Sequence, residues 1–224
     1  MYSPLPGDRV VVFARAPESG RVKTRLAATV GDARALAIYV QLAERVTRAV
    51  AMGPWALEIR CAPDEAAPSV ATWLGRRDGV VPQGGGDLGA RLTRAMFDHF
   101  ASSTGRLVII GTDCPAVDAQ VIQHAFAALA GADVVFGPAL DGGYYLVGSG
   151  RHAPAIFDGV PWSASDTLEV SLRRARAAGY RVAELDPLRD IDTEEDWAAW
   201  ASATTAEAAR AQRTGTDEVP ARDG

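Results

Sequence analysis

Six segments of this 224-residue chain gather residue types that could do chemistry. The first, Arg15-Ala16-Pro17-Glu18-Ser19-Gly20-Arg21-Val22-Lys23-Thr24-Arg25-Leu26, packs three cations into five residues. Arg15, Lys23 and Arg25 offer full positive charge, and a turn at Gly20 ahead of a helix start offers backbone N–H groups, a combination suited to a di- or triphosphate. A solvated basic turn would have the same composition. A Walker A loop needs Gly immediately before its Lys, where this chain has Val22, and no Gly-x-Gly-x-x-Gly follows the first apolar run. A kinase-type phosphate loop and a dinucleotide fold are therefore poor readings.

The second segment is Gly111-Thr112-Asp113-Cys114-Pro115. A single carboxylate at the end of a buried strand can hold Mg²⁺ or Mn²⁺ by one or two oxygens while phosphates and water complete the shell. Its other use, capping the next helix, falls more naturally to Asp118. The third, Gly137-Pro138-Ala139-Leu140-Asp141-Gly142-Gly143-Tyr144-Tyr145, couples a carboxylate that could take a proton from an acceptor, Asp141, to two glycines that admit close approach. Asp-Gly-Gly also encodes a plain tight turn. In the fourth, Asp190-Ile191-Asp192-Thr193-Glu194-Glu195-Asp196-Trp197, two aspartates two apart share one side of an extended segment, with Thr193 and the acidic residues after it opening a helix. Asp192 is the candidate second metal contact. Two weaker segments add Gly86 and Arg91, as backbone and side-chain donors to a nucleotide, and Trp162, either as the wall of an acceptor pocket or as simple packing.

These segments need elements to position them. Arg9 to Ala14 and Leu107 to Ile110 are continuous apolar runs expected of buried parallel strands, and Trp55 to Cys61 alternates as a half-buried strand does. Further strands are expected at Val80-Val81, Val134 to Phe136, Tyr144 to Val147 and near Tyr180 to Ala183. Helical spacing of apolar residues follows Gly31-Asp32, recurs around Ser69 to Leu74, over Leu88 to Phe100 and over Val121 to Leu129, and is expected after an Asp166 cap and from Thr193 onward. Strands alternating with helices imply a three-layer α/β/α single domain with a mixed, mainly parallel central sheet, whose ligands bind beyond the strands' carboxyl ends. Each of the six segments falls at such an end. The domain is expected over residues 1–200, and the Ala, Thr, Glu, Arg and Gly-rich stretch 201–224 as a frayed or disordered tail.

Composition closes off several classes. A net charge of −5 without a dense basic patch argues against a nucleic-acid partner. No run of about 18 apolar residues offers a membrane span, and Met1 to Asp8 lacks a basic-then-apolar leader, so a cytoplasmic protein is expected. Cys61 and Cys114 are too few for a disulfide scaffold, and the three histidines are too scattered to converge on a metal.

Taken in order, Phe13 to Pro17, Gly20 to Leu26, Gly86 to Gly89, Gly111 to Pro115, Gly137 to Tyr145, Pro161 to Ser163 and Asp190 to Thr193 resemble the nucleotide-diphospho-sugar transferase superfamily, the glycosyltransferase-A fold. Within it the chain is similar to a small bacterial branch of arsenosugar-biosynthesis-type glycosyltransferases, related to the guanylyltransferase of deazaflavin-cofactor synthesis. The resemblance implies a nucleotide over the N-terminal half of the sheet, a divalent cation at Asp113, and an acceptor pocket around Gly142, Gly143, Tyr144 and Trp162. Glycosyltransferases of this fold carry Asp-x-Asp where this chain has Gly111-Thr112-Asp113, a form closer to the nucleotidyltransferases, in which an Asp from the segment like Asp190-Ile191-Asp192 completes the metal site. The expected activity is metal-dependent transfer of a sugar from a nucleotide-diphosphate sugar to a small-molecule acceptor, with Lys23 and Asp141 catalytic. The alternatives are transfer of a nucleoside monophosphate from a nucleoside triphosphate with release of pyrophosphate, and a non-catalytic nucleotide-binding module.

Overall fold

The apolar runs become strands because their continuous hydrophobicity can be satisfied only between two covering layers. In the computed structural model, which describes residues 2–76 and 79–214, seven strands form one sheet. They are β1 (Arg9–Arg15), β2 (Ala56–Ala62), β3 (Val80–Pro82), β4 (Leu107–Ile110), β5 (Val134–Pro138), β6 (Tyr144–Ser149) and β7 (Val182–Glu184), in the spatial order β3-β2-β1-β4-β6-β5-β7. β6 runs antiparallel to both neighbours and every other pairing is parallel, which gives the mixed, mainly parallel sheet expected of the sequence.

Helices α1 (Thr24–Val30), α2 (Asp32–Val50), α3 (Ala67–Trp73), α4 (Leu88–Ser102), α5 (Ala119–Ala128), α6 (Thr167–Ala177) and α7 (Glu194–Thr214) complete the chain. On one face Val46 and Val50 of α2, Val70 of α3 and Ile122, Ala125 and Phe126 of α5 bury against Val10, Val12, Ile59, Val108 and Ile110. On the other, Leu92, Ala95 and Met96 of α4 and Leu172 and Ala175 of α6 bury against Val11, Leu107, Ile109, Phe136 and Val147. The alternation along β1 and β4 thus feeds two separate cores, the signature of a sheet covered on both sides. No described helix is long and apolar enough to cross a membrane.

Four local expectations change. The basic loop leads not into the long helix but into the seven-residue α1, which ends at Gly31, where φ of 80° breaks the helical path before α2 begins. β2 is buried rather than half-buried over its last four residues, Arg60 included, because Glu58 and Asp98 neutralise that guanidinium. Asp166 occupies the N-cap of α6 without a side-chain bond, and Thr167 instead ties the entry loop by donating to the carbonyls of Pro161 (2.6 Å) and Ala164 (2.8 Å). α7 runs from Glu194 through Thr214, so the helix expected from Thr193 onward extends into the stretch 201–224, whose alanines, glutamates and arginines favour helix. The remainder of the expected tail, residues 215–224, lies outside the described residues.

Candidate functional site

The carboxyl edge of the sheet collects the loops that follow β1, β3 and β4. The loop after β1 ends at Lys23, whose backbone is left-handed (φ 48°, ψ 46°) and whose side chain is only 4% exposed. Its ammonium has three acceptors: Asp113 Oδ1 at 2.5 Å, Asp192 Oδ1 at 3.1 Å and the carbonyl oxygen of Ile191 at 2.6 Å. Burial on its own would lower the Lys23 pKa, but the Asp113 and Asp192 carboxylates outweigh it and hold the ammonium above its ordinary value. Asp113, 48% exposed, and Asp192, 35% exposed, keep faces toward solvent.

Asp113 is free for this role because Asp118 caps α5, accepting from the backbone N–H groups of Gln120 and Val121 at 2.9 Å each. Asp192 is delivered by its neighbour. Ile191 is 1% exposed in a cluster with Leu26, Ala35, Ile38 and Leu42, supported by Trp197 and Trp200. Its N–H donates to the Asp113 carbonyl at 2.9 Å, so the segment before α7 is stitched to the end of β4. At the helix start expected there, Thr193 and Asp196 cap each other, Thr193 Oγ1 accepting from the Asp196 N–H at 3.2 Å and Asp196 Oδ2 from the Thr193 N–H at 3.1 Å. Asp190 lies deeper. Burial, then the nearby Asp113 and Asp141 carboxylates, push its pKa up to about 7, and its Oδ1 is buried without a partner.

Arg25 reaches Asp192 Oδ2 at 3.7 Å with its side chain 68% exposed, and Arg15 ends β1 facing solvent. Gly20 makes a turn with φ of 74°. Gly86 (φ 98°) precedes Asp87, the N-cap of α4, but Arg91 is already engaged: it donates to the Gly86 carbonyl at 3.0 Å and to Gln83 Oε1 at 3.2 Å, so it shapes the glycine loop from within.

Two residues that the sequence reading passed over organise this edge. The Tyr39 hydroxyl accepts from the Arg15 N–H at 2.7 Å and donates to the Arg15 carbonyl at 2.8 Å, and burial raises its pKa to about 12. Gln83, 4% exposed, donates to the Ala14 and Arg60 carbonyls, both at 3.0 Å. Tyr39 sits at helical spacing on the buried face of α2. The only further signal was that each is a polar group where its surroundings bury every atom, so its hydrogen bonds must be satisfied internally.

On the other half of the sheet, Asp141 Oδ1 accepts from the Gly143 N–H at 2.9 Å, the tight-turn arrangement. Asp141 stays exposed and near enough to Asp190 to raise its pKa. The Tyr144 ring packs on Phe136 and Trp162, with its hydroxyl buried, which makes it a supporting residue. Trp162 lies against α4, where a Cβ on Gly89 would come within 3.0 Å of the indole. The 160–166 loop thus spans from the Gly142 turn to the start of α4. Gly142 has φ of 92°, and a Cβ there would fall 1.9 Å from the Ser165 carbonyl oxygen. Gly142→Ala is therefore expected to destabilise the fold by about 2–5 kcal/mol, combining a left-handed backbone with overpacking, and to lower the urea midpoint accordingly; an unchanged midpoint would show that the loop does not rest on this turn.

Among the described residues no group of three or more His, Cys, Asp or Glu side chains is arranged to hold a metal by itself. Asp113 and Asp192 nevertheless fit a hard divalent ion of the Mg²⁺ or Mn²⁺ kind, which takes one or two carboxylates and fills the rest of its shell from phosphate and water.

A seven-stranded sheet with one reversed strand, helices on both faces and charged loops at its carboxyl edge defines an α/β domain of the nucleotide-diphospho-sugar transferase type. Residues 43–164 match the family of uncharacterized proteins conserved in bacteria, DUF2064, and the chain belongs to that family. A candidate nucleotide-diphospho-sugar transferase from Desulfovibrio desulfuricans G20 is 33% identical, with a TM-score of 0.79 over 84% of this chain and 83% of the other. CMP:2-keto-3-deoxy-manno-octonic acid synthetase complexed with CTP is 13% identical, with a TM-score of 0.56 over 89% and 99% of the two chains. 4-Diphosphocytidyl-2C-methyl-D-erythritol synthase from Anaerococcus prevotii DSM 20548 is 10% identical, with a TM-score of 0.55 over 85% and 93%. These last two share the fold alone. No curated protein matches the sequence.

Proposed function

We propose that this chain is a metal-dependent transferase that takes a group from a phosphate-activated nucleotide and passes it to a small-molecule acceptor. The observation that carries this reading is the convergence of Asp113, at the end of β4, and Asp192, before α7, on one buried ammonium at the carboxyl edge of the sheet. These two carboxylates would hold the divalent cation. When bound, that ion supplies charge neutralisation at the phosphoryl oxygens. Arg15 and Arg25, exposed at the rim, draw in and orient the polyphosphate, while Gly20 and the Gly86 loop, braced by Arg91, shape the nucleotide side.

The pairing of Asp113 with Asp192 favours nucleotidyl transfer. An acceptor oxygen attacks the α-phosphate of a nucleoside triphosphate, the bond from the α-phosphorus to the bridging oxygen breaks, and pyrophosphate leaves. Asp141 takes the acceptor's proton, with Gly142, Gly143 and Trp162 shaping the acceptor pocket and Tyr144 supporting it from behind. The 33% identity to the Desulfovibrio protein, with the motif order like that of the arsenosugar-type branch, favours a second reading, sugar transfer from a nucleotide-diphosphate sugar.

The product separates the two, pyrophosphate for the first and a nucleoside diphosphate for the second. Thermal unfolding with a panel of nucleoside triphosphates and nucleotide sugars, each with Mg²⁺ or Mn²⁺, identifies the donor to assay. A ligand at a hundredfold excess over its Kd stabilises the fold by about 3 kcal/mol. A melting temperature unmoved by every member of the panel with either metal overturns the reading, and binding without turnover across a broad acceptor panel leaves a non-catalytic module.

A further inference from the structure

We infer that Lys23 is an exchangeable counter-ion: it occupies Asp113 and Asp192 until a divalent cation replaces it there, and only then is it free to donate to the nucleotide phosphates, so that metal and nucleotide bind cooperatively. The identity of the two ligands rests on the proposed function; the exchange rests on a count of donors. An ammonium has three N–H donors and no acceptor. At Lys23 each has a short contact to accept it, on Asp113, Asp192 and the Ile191 carbonyl. With its side chain 4% exposed, it has no donor to spare for a phosphate.

Contact with a phosphate therefore requires at least one of these bonds to be given up. The Ile191 carbonyl belongs to a residue locked in an apolar cluster, which holds that acceptor in place beside the ammonium. The carboxylates are different, because a divalent cation brings them twice the charge that Lys23 does. A cation arriving alone has to displace a buried ammonium from both carboxylates and leave it nearby with only the Ile191 carbonyl, which is repulsive at such distances. A phosphate arriving alone must compete with two carboxylates for the same N–H groups. Together each ligand supplies what the other displaces. This is positive coupling between two sites, reciprocal by linkage, with a usual range of about 5- to 150-fold in affinity. If Lys23 were instead a fixed strut that keeps the two carboxylates in register, removing it would loosen the metal site.

Titration of the full chain with Mn²⁺ alone, followed by the paramagnetic signal of the free ion, decides between them. Lys23→Met is expected to bind Mn²⁺ at least about tenfold more tightly than the unmodified chain. Arg25→Gln is the control for charge alone, since it removes one positive charge 3.7 Å from Asp192 without freeing an ammonium site between the carboxylates; it is expected to change affinity less than about threefold. Equal or weaker binding by Lys23→Met, or an equal gain in Arg25→Gln, overturns the exchange and leaves the metal site standing. No Mn²⁺ binding by any of the three overturns the metal reading on which the exchange depends. Lys23→Gln, which keeps a donor for Ile191, repeats the test if the Met variant does not fold, and failure of both to fold makes Lys23 a strut and overturns the exchange.

Discussion

If Asp113 and Asp192 hold the cation as proposed, Asp113→Ala is expected to lower kcat/KM with the nucleotide substrate by at least about a hundredfold, and Asp192→Ala by the same order, since each removes a ligand to the ion that neutralises the transferring phosphate. The double variant is expected to lose no more than the worse single variant. Residues that act as one unit are not additive, and two carboxylates sharing one ion are such a unit. If the two losses multiply, the aspartates act independently and the shared-ion reading fails. Glu194→Ala and Glu195→Ala serve as the comparison. Both residues are exposed in the first turn of α7 and favour the helix dipole, so activity is expected to stay within about twofold.

The same variants test whether Asp113 is structural. Its side chain is 48% exposed, so water screens its pairing with Lys23, and Asp192 remains to hold the ammonium. The stability loss in Asp113→Ala is expected to be about 1 kcal/mol, set by the weak pairing of a half-exposed group. Chemical denaturation alongside kinetics separates a large loss in rate from a small loss in stability. A stability loss matching the loss of activity would place Asp113 in the framework instead.

Local chemistry was legible in the sequence wherever a residue's partner lies close along the chain. The apolar runs of β1 and β4, the Asp118 cap and the helix start at Thr193 are all decided within a few residues, and all appear as expected. The reversed β6 between β4 and β5 is not, since an apolar strand carries no mark of which neighbour it will join. The same limit governs the site. Lys23 and Arg91 both read as phosphate donors from the charge of their surroundings, yet Lys23 meets Asp192 from 169 residues away and Arg91 is consumed by its own glycine loop. Gly111-Thr112-Asp113 pointed to a partner in Asp190-Ile191-Asp192 without saying which aspartate. Ile191 sets the two apart: buried among Leu26, Ala35, Ile38 and Leu42, it leaves Asp192 on Lys23 and draws Asp190 under the surface.

A large loss of stability is expected far from this edge, at Arg106. Its guanidinium grips Asp8 through Nε (3.1 Å) and Nη2 (2.7 Å), donates to the carbonyls of Phe126 (2.8 Å) and Ser3 (2.9 Å), and lies over the rings of Tyr2 and Phe126. Asp8 is 2% exposed and also accepts from the Leu5 and Arg106 backbone N–H groups. Burial alone would raise the Asp8 pKa, but these donors, Arg106 first among them, outweigh it and hold the carboxyl below its ordinary value. Arg106→Met keeps much of the volume and strands the carboxylate. Breaking a buried pair from one side costs about 3–5 kcal/mol, and that is the loss expected at pH 7 from urea unfolding. The pH dependence identifies the cause. In the unmodified chain the folded Asp8 pKa lies below the unfolded one, so its contribution is full above the ordinary carboxylate value of about 4 and is lost as pH falls through the folded value. In Arg106→Met the backbone N–H groups of residues 5 and 106 and the Tyr2 hydroxyl remain, but the guanidinium that outweighed burial is gone, so the folded Asp8 pKa rises and the variant's deficit shrinks as pH is lowered through the carboxylate range. Asp8→Asn added to Arg106→Met is expected to recover part of the loss at pH 7, because a neutral amide tolerates burial that a lone carboxylate does not. A deficit that is constant with pH and unrelieved by Asp8→Asn would assign the loss to packing against Tyr2 and Phe126 instead of to the charge.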